Sequence, residues 1–243
     1  MERNKVYFVA DVHLGLDLKD AGGREDRFVS FLKGIRKPET KALYLLGDIW
    51  DFWYEYRDVV PKEGARVVSE LIRLMDEGVE VFFFEGNHDM WTFSFFESLG
   101  MKKLRQPADI TIGEKSFCLG HGDCLGGARK GYRLMLSVFH NPVTRFLFSL
   151  LHPWVAYRLG LGWSNSSRRS HSQYHFKGEE EPLYKFAQNR EKQPDFFVFG
   201  HFHDKVDMTL PSGARFIVLK DWMDGGQPCA EFDASTSAFS LHS

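Results

Sequence analysis

Cysteine is scarce in this chain: three among 243 residues, Cys118, Cys124 and Cys229. No two share a Cys-x-x-Cys spacing and their number is odd, so neither a disulfide framework nor a thiolate zinc site is expected, and all three are read as packed thiols. Long apolar runs are missing as well. The first, residues 6–10, is too short for a secretory signal core and no small-residue cleavage site follows it, so a cytosolic location is expected. No uncharged stretch reaches the roughly 18 apolar residues of a spanning helix, which excludes a transmembrane reading. There is no internal repeat and no low-complexity tract. What the chain does have is 43% hydrophobic residues and 23 phenylalanines. That content and length suit one large globular domain, or a domain carrying a sizeable insertion.

Acidic residues are absent from one place in particular. The formal net charge is only -2, yet residues 124–178 contain no Asp or Glu at all. Residues 124–190 carry 10 basic and 3 acidic side chains, a net of +7, which leaves -9 for the remainder. Such a block attracts anions, unless it is simply a solvated basic face.

Short β-branched and aromatic runs at residues 6–10, 42–46, 79–84, 116–119, 196–199 and 216–219 predict buried strands. Helical spacing of apolar residues marks 24–35 and 65–77 between the first three, the second closed by Gly78. The order β-α-β-α-β followed by strands predicts an α/β domain with its chemistry at the carboxyl ends of the strands. Residues 126–190 break the strand pattern and predict two or three short helices punctuated by Pro142 and Pro153. The expected organisation is therefore a catalytic domain of residues 1–125 and 191–243, with a basic, amphipathic helical cap of residues 126–190 inserted.

Each of the first five strands ends in a similar way. Asp11-Val12-His13, Gly47-Asp48-Ile49-Trp50-Asp51, Gly86-Asn87-His88-Asp89, Gly120-His121-Gly122-Asp123 and Gly200-His201-Phe202-His203 follow in order. Any one block could be an ordinary turn or cap. Together they bring carboxylates, imidazoles and one amide to a single crevice, a donor set suited to Mn, Fe or Zn. Five of the ten histidines lie in these blocks; His140, His152, His171, His175 and His242 are read as cap or surface residues.

These blocks resemble the calcineurin-like metallophosphoesterases, whose pattern is D-x-H, G-D-x-x-D, G-N-H-D/E, G-H and G-H-x-H. The resemblance covers residues 11–203 and implies a four-layer α-β-β-α sandwich with two divalent metals, Mn²⁺ foremost and Fe or Zn as alternatives. It implies that Asp11, His13 and His203 hold one metal, that Asn87, His121 and His201 hold the other, and that Asp48 bridges them. It further implies in-line attack on phosphorus by a water activated between the metals, with His88 stabilising developing charge or protonating the leaving oxygen.

The substrate is expected to be set by the insertion, whose helices are basic and rich in Trp, Phe and Leu. That composition suits an element in a membrane interface or one holding acyl chains, or a cap packing its apolar stripe on the catalytic domain. The insertion's position between His121-Gly122-Asp123 and His201, Tyr132 within it, and Trp50-Asp51-Phe52-Trp53 make the chain similar to the UDP-2,3-diacylglucosamine pyrophosphohydrolases of lipid A synthesis. That narrower resemblance implies release of UMP and 2,3-diacylglucosamine 1-phosphate from an acylated UDP-sugar, by a cytoplasmic protein peripheral on the inner membrane. Asn87, His88, Asp123, Arg129, Tyr132, Ser164, Asn165, Ser167, Arg168 and His201 are then candidates to grip the substrate. The chain departs from the best-known members at His88, where they carry Arg, and at Arg129, where they carry an acidic residue. A phosphodiesterase acting on another lipid-linked or soluble nucleotide phosphoester, and a catalytically inactive lipid-binding scaffold, are the alternative readings. No nucleic acid and no obligate protein partner are expected.

Overall fold

In the computed structural model, residues 3–16, 21–128, 130–171 and 175–243 are described, with side chains left aside at 21, 22 and 165–171. The strands β1 (Lys5–Val9), β2 (Thr40–Leu45) and β3 (Glu80–Phe84) alternate with the helices α1 (Ala21–Gly34) and α2 (Ala65–Asp76). A four-residue helix, α3 (Phe95–Ser98), leads into β4 (Lys102–Leu104), β5 (Ala108–Ile112) and β6 (Lys115–Leu119). Three helices follow, α4 (Lys130–His140), α5 (Pro142–Ser149) and α6 (Pro153–His171), then α7 (Pro182–Gln188) and the strands β7 (Phe196–Phe199), β8 (Val206–Thr209), β9 (Arg215–Val218), β10 (Cys229–Asp233) and β11 (Ala238–His242).

Two sheets result, one in the order β11-β10-β1-β2-β3-β4 and one in the order β5-β6-β7-β9-β8. Successive side chains of a strand point to opposite faces, and this sorts the phenylalanine-rich runs into layers. Val6 and Phe8 of β1 meet Phe117, Phe196 and Val198 between the sheets. Tyr7 and Val9 instead face Phe28, Leu32, Val67 and Leu71 of α1 and α2. On the far side, Phe197 and Phe199 of β7 are covered by Leu183, Tyr184 and Ala187 of α7. The layers are therefore helix, sheet, sheet, helix, the expected four-layer sandwich. β1, β2 and β3 are mutually parallel, as are β6, β7 and β9, so each sheet presents several carboxyl ends at one rim.

The expected insertion holds the three helices α4 to α6, and its two prolines open helices rather than break them. Pro142 occupies the first turn of α5 behind an Asn141 cap, whose side chain accepts from Val143 N at 2.8 Å. Pro153 begins α6. Both sit where a missing N–H costs nothing. α7 also falls within residues 126–190, yet it packs on the second sheet as its outer layer. Cys118 and Cys229 are buried, but Cys124 is exposed, contrary to the expectation of a packed thiol. The Asp123 carboxylate next to it is turned inward, and the backbone at Cys124 (φ 63°) turns outward.

Candidate metal centre

The five strand ends converge. Eight described non-glycine residues have positive φ, and five of them are Asp11 (54°), His13 (52°), Asp48 (52°), His201 (74°) and His203 (61°). Each left-handed residue costs on the order of 1–2 kcal/mol, so the surrounding hydrogen bonds must fix it. Asp11 N donates to Gly47 O at 3.1 Å and His13 N to Asp48 O at 3.0 Å, locking the first two turns together. His201 N donates to Asp11 Oδ2 at 2.8 Å, which ties the second sheet to the first. Asp89, fully buried, accepts from Gly86 N at 2.7 Å, Ile49 N at 2.8 Å, Asp48 N at 3.2 Å and Trp50 N at 3.3 Å. A Cβ at Gly86 would overlap the Asp48 carboxylate, so the close approach of these two loops requires glycine.

Imidazole nitrogens and carboxylates then meet at the rim. Asp48 Oδ2 lies 3.4 Å from His121 Nε2 and 3.9 Å from His13 Nε2. Asp11 Oδ1 lies 3.7 Å from His13 Nε2 and 3.6 Å from His203 Nε2. Asn87 Oδ1 is 3.2 Å from His121 Nε2, and the His121 and His201 rings are 5.0 Å apart. The opposite ring nitrogens are held from behind: His121 Nδ1 by Leu46 O at 3.0 Å, His13 Nδ1 by Asp51 at 3.3 Å, His203 Nδ1 by Asp221 at 2.9 Å. Such outer partners place the proton on Nδ1 and turn the Nε2 lone pair inward, as metal-ligating histidines require. Asp11 Oδ1 is buried without a hydrogen-bond partner, an expensive arrangement unless a cation is its partner. Asp11, His13 and His203, and likewise Asp11, Asp48 and His121, can each place donor atoms within 4.8 Å of one another. The residues present fit a dimetal site.

The electrostatics agree. Burial opposes the charge on Asp48, yet His121 and His88 hold its carboxyl well below the ordinary value. Asp11 is lowered despite its burial by the nearby His13 and His203 imidazoles. Burial works against a charged His121, but Asp48, with Asp11 and Asp123 behind it, holds that imidazole well above its usual value. Burial and then the His121 charge push His201 down to about 4. Burial and the Asp48 charge push Asp89 up to about 7; its four backbone donors, with no acceptor for a proton, favour the carboxylate. A proton on His121 among three carboxylates stands where positive charge is demanded.

Of the other residues picked out in the sequence, His88 donates its N–H to Asp48 Oδ1 at 2.8 Å. Its ring Nδ1 is 3.0 Å from Asp51 O and 3.3 Å from Ser164 Oγ, so a buried cap residue reaches the centre. Asp123 is 3.4 Å from Tyr132 Oη, and Gln106 Nε2 donates to it at 2.5 Å. Arg129 lies outside the described residues, as do the side chains of Asn165, Ser167 and Arg168. Four contributors escaped sequence reasoning in their roles: Asp51, Asp89 and Gln106 around the loops, and Asp221 behind His203. Asp51 and Asp89 stood within the motif blocks, but Gln106 and Asp221 carried no signal.

The cap is seated by aromatics. Phe52, Tyr54 and Trp91 of the catalytic layers receive Phe139, Phe148 and Tyr157. Tyr54 Oη donates to Arg145 O at 2.8 Å, Trp91 Nε1 to Phe139 O at 3.1 Å, and Tyr157 Oη to Phe52 O at 3.2 Å. The far faces stay uncovered. Ten of the twelve large exposed apolar side chains among the described residues lie between Leu134 and Trp163, Phe146 and Leu150 among them. Among the same residues no helix is long and apolar enough to cross a membrane.

A four-layer sandwich with two overlapping carboxylate and imidazole clusters at its rim defines a metal-dependent phosphoester hydrolase. The chain belongs to the calcineurin-like phosphoesterase family, whose model matches residues 4–205. It is 37% identical over 240 residues to a UDP-2,3-diacylglucosamine hydrolase of Porphyromonas gingivalis, covering 91% of both chains. A protein of the same name from Aeromonas salmonicida is 29% identical over 90% of this chain and 86% of its own. Among solved structures, an archaeal phosphodiesterase shares the fold with a TM-score of 0.50 at 11% identity, over 98% of each chain.

Proposed function

We propose that this protein hydrolyses the pyrophosphate of UDP-2,3-diacylglucosamine, releasing UMP and 2,3-diacylglucosamine 1-phosphate for lipid A synthesis. The 37% identity to the Porphyromonas gingivalis hydrolase over 91% of both chains carries the reading. The uncovered apolar faces of the cap support it, because the substrate brings two acyl chains.

Asp11, His13 and His203 would hold one cation and Asn87, His121 and His201 the other, with Asp48 shared and Mn²⁺ the proposed metal. When bound, the pair supplies Lewis acidity toward the phosphoryl oxygens and an acidified water. His88, its Nδ1 proton directed at Asp51 O and Ser164 Oγ, would as the imidazolium donate from Nε2 to the leaving phosphate oxygen, protonating it or stabilising its charge. Asp123, Tyr132 and Ser164, with Arg129, Asn165, Ser167 and Arg168, are proposed to orient the sugar and phosphates. The proposed division is a catalytic unit of 1–125 and 191–243 with an inserted unit of 126–190, whose last helix, α7, also supplies the outer layer on the second sheet. The working location is the cytoplasmic face of the inner membrane.

The test incubates the purified chain and Mn²⁺ with UDP-2,3-diacylglucosamine, a cyclic nucleotide and an aryl phosphodiester. UMP release from the lipid is expected. Turnover of the aryl ester alone would overturn the lipid reading, and no turnover of any substrate with metal bound would favour a scaffold.

A further inference from the structure

We infer that Asp221 is a positioning residue for one half of the metal centre: it and the adjoining Trp222 brace the ligands of the first cation, so that losing the Asp221 carboxylate weakens that cation alone. The inference rests on the dimetal assignment above and adds a residue to it.

Asp221 lies just beyond β9 and is 7% exposed. Its Oδ2 is 2.9 Å from His203 Nδ1, and its Oδ1 accepts the Met223 backbone N–H at 2.9 Å, which fixes the carboxylate. The next residue reaches another ligand of the same cation, since Trp222 N donates to Asp11 O at 3.2 Å. Trp222 is itself immobilised. Its indole is fully buried against Phe28 and Phe31 of α1, with ring centres 5.0 and 5.5 Å away, and its carbonyl accepts from Arg27 at 3.1 Å. The core beneath α1 and α2 thus acts as the foundation for two ligand loops.

His203 is the ligand that needs this. His13 and His121 side chains are wholly enclosed, whereas that of His203 is 30% exposed. Accepting the Nδ1 proton, Asp221 sets the tautomer and turns Nε2 toward Asp11 Oδ1, 3.6 Å away. His121, on the other side of the centre, takes its bearing from Leu46 O instead. The His203 and His121 imidazoles thus take their bearings from different partners, and an Asp221 variant should separate the two halves.

Calorimetric titration of the metal-free full chain with Mn²⁺ tests this. The parent is expected to take two equivalents. Asp221→Ala should still take two, with one site weakened about 10- to 100-fold, the range for outer partners of ligating histidines. Asp221→Asn, which can still accept the Nδ1 proton, should fall between them and serves where the alanine variant does not fold. The melting temperature of the metal-free protein should change little. In a His203→Ala background, Asp221→Ala should add no further loss. Equal weakening of both sites, parent-like binding, or the same loss persisting without His203 would overturn the role of Asp221 and leave the dimetal reading intact. A parent taking only one equivalent would overturn the dimetal reading itself, and this inference with it.

Discussion

Asp48 touches both halves of the centre, through Oδ2 to His121 and His13, while its Oδ1 accepts the His88 N–H. Asp48→Ala is therefore expected to abolish metal retention and turnover together. Activity should fall by more than about 100-fold, beyond the usual loss for an outer partner, with bound metal measured by mass spectrometry. His88→Asn should behave differently. The backbone bond to Asp48 survives, so metal content should hold while kcat falls by about 10²- to 10⁴-fold, the range for a general acid. Metal loss in parallel with activity would place His88 among the ligands. Both residues were legible in the sequence because each strand carries its own ligands a few positions past its end. Asp221 was not legible. It too follows a strand, but its partner is 18 residues upstream in another loop, and only the pairing of β7 with β9 brings them together.

On α6, Ala156, Gly160 and Ser164 recur every four residues and so share one face. A Cβ at Gly160 would overlap the Phe52 ring, which Trp91, Phe148 and Tyr157 already enclose. Gly160→Ala should lift the helix and draw Ser164 away from His88. The expected cost is about 1–3 kcal/mol, read as a lower melting temperature, with lipid turnover losing more than aryl-ester turnover. At the opposite side, Asp195 binds the start of β6 to the approach of β7. The Ser116 N–H and hydroxyl, helped by Lys115, hold its carboxyl down to about 2. Its folded pKa lies below the ordinary value of about 3.9. The stabilisation is therefore complete above about pH 4 and lost as pH falls toward 2. Melting temperature plotted against pH should lose part of its slope across that window in Asp195→Asn. Most strands and both long helices of the first sheet were legible to within a few residues, since their apolar runs are buried. α3, β4 and β5 were not: α3 and β4 have only four and three residues, and β5, on an edge, alternates apolar and polar side chains over just five residues, without the continuous apolar run that marked the other strands.

For the molecule as a whole, the near-neutral charge is the sum of an acidic catalytic part and a basic insertion, -9 and +7. The basic part also carries the uncovered apolar side chains. Vesicles containing anionic lipid should therefore retain the protein, less so at high salt. Phe146→Ser should weaken retention roughly tenfold or more, given the apolar surface of one Phe, while leaving aryl-ester hydrolysis unchanged; co-sedimentation and the two assays check this. The left-handed ligands have a further consequence for the fold. Asp11, His13, Asp48, His201 and His203 occupy conformations in which glycine would be easier. Exchanging one for glycine relieves backbone strain at that position. Selection for thermal resistance without substrate would thus favour erasing the centre, and the most stable descendants of this chain would be inert ones.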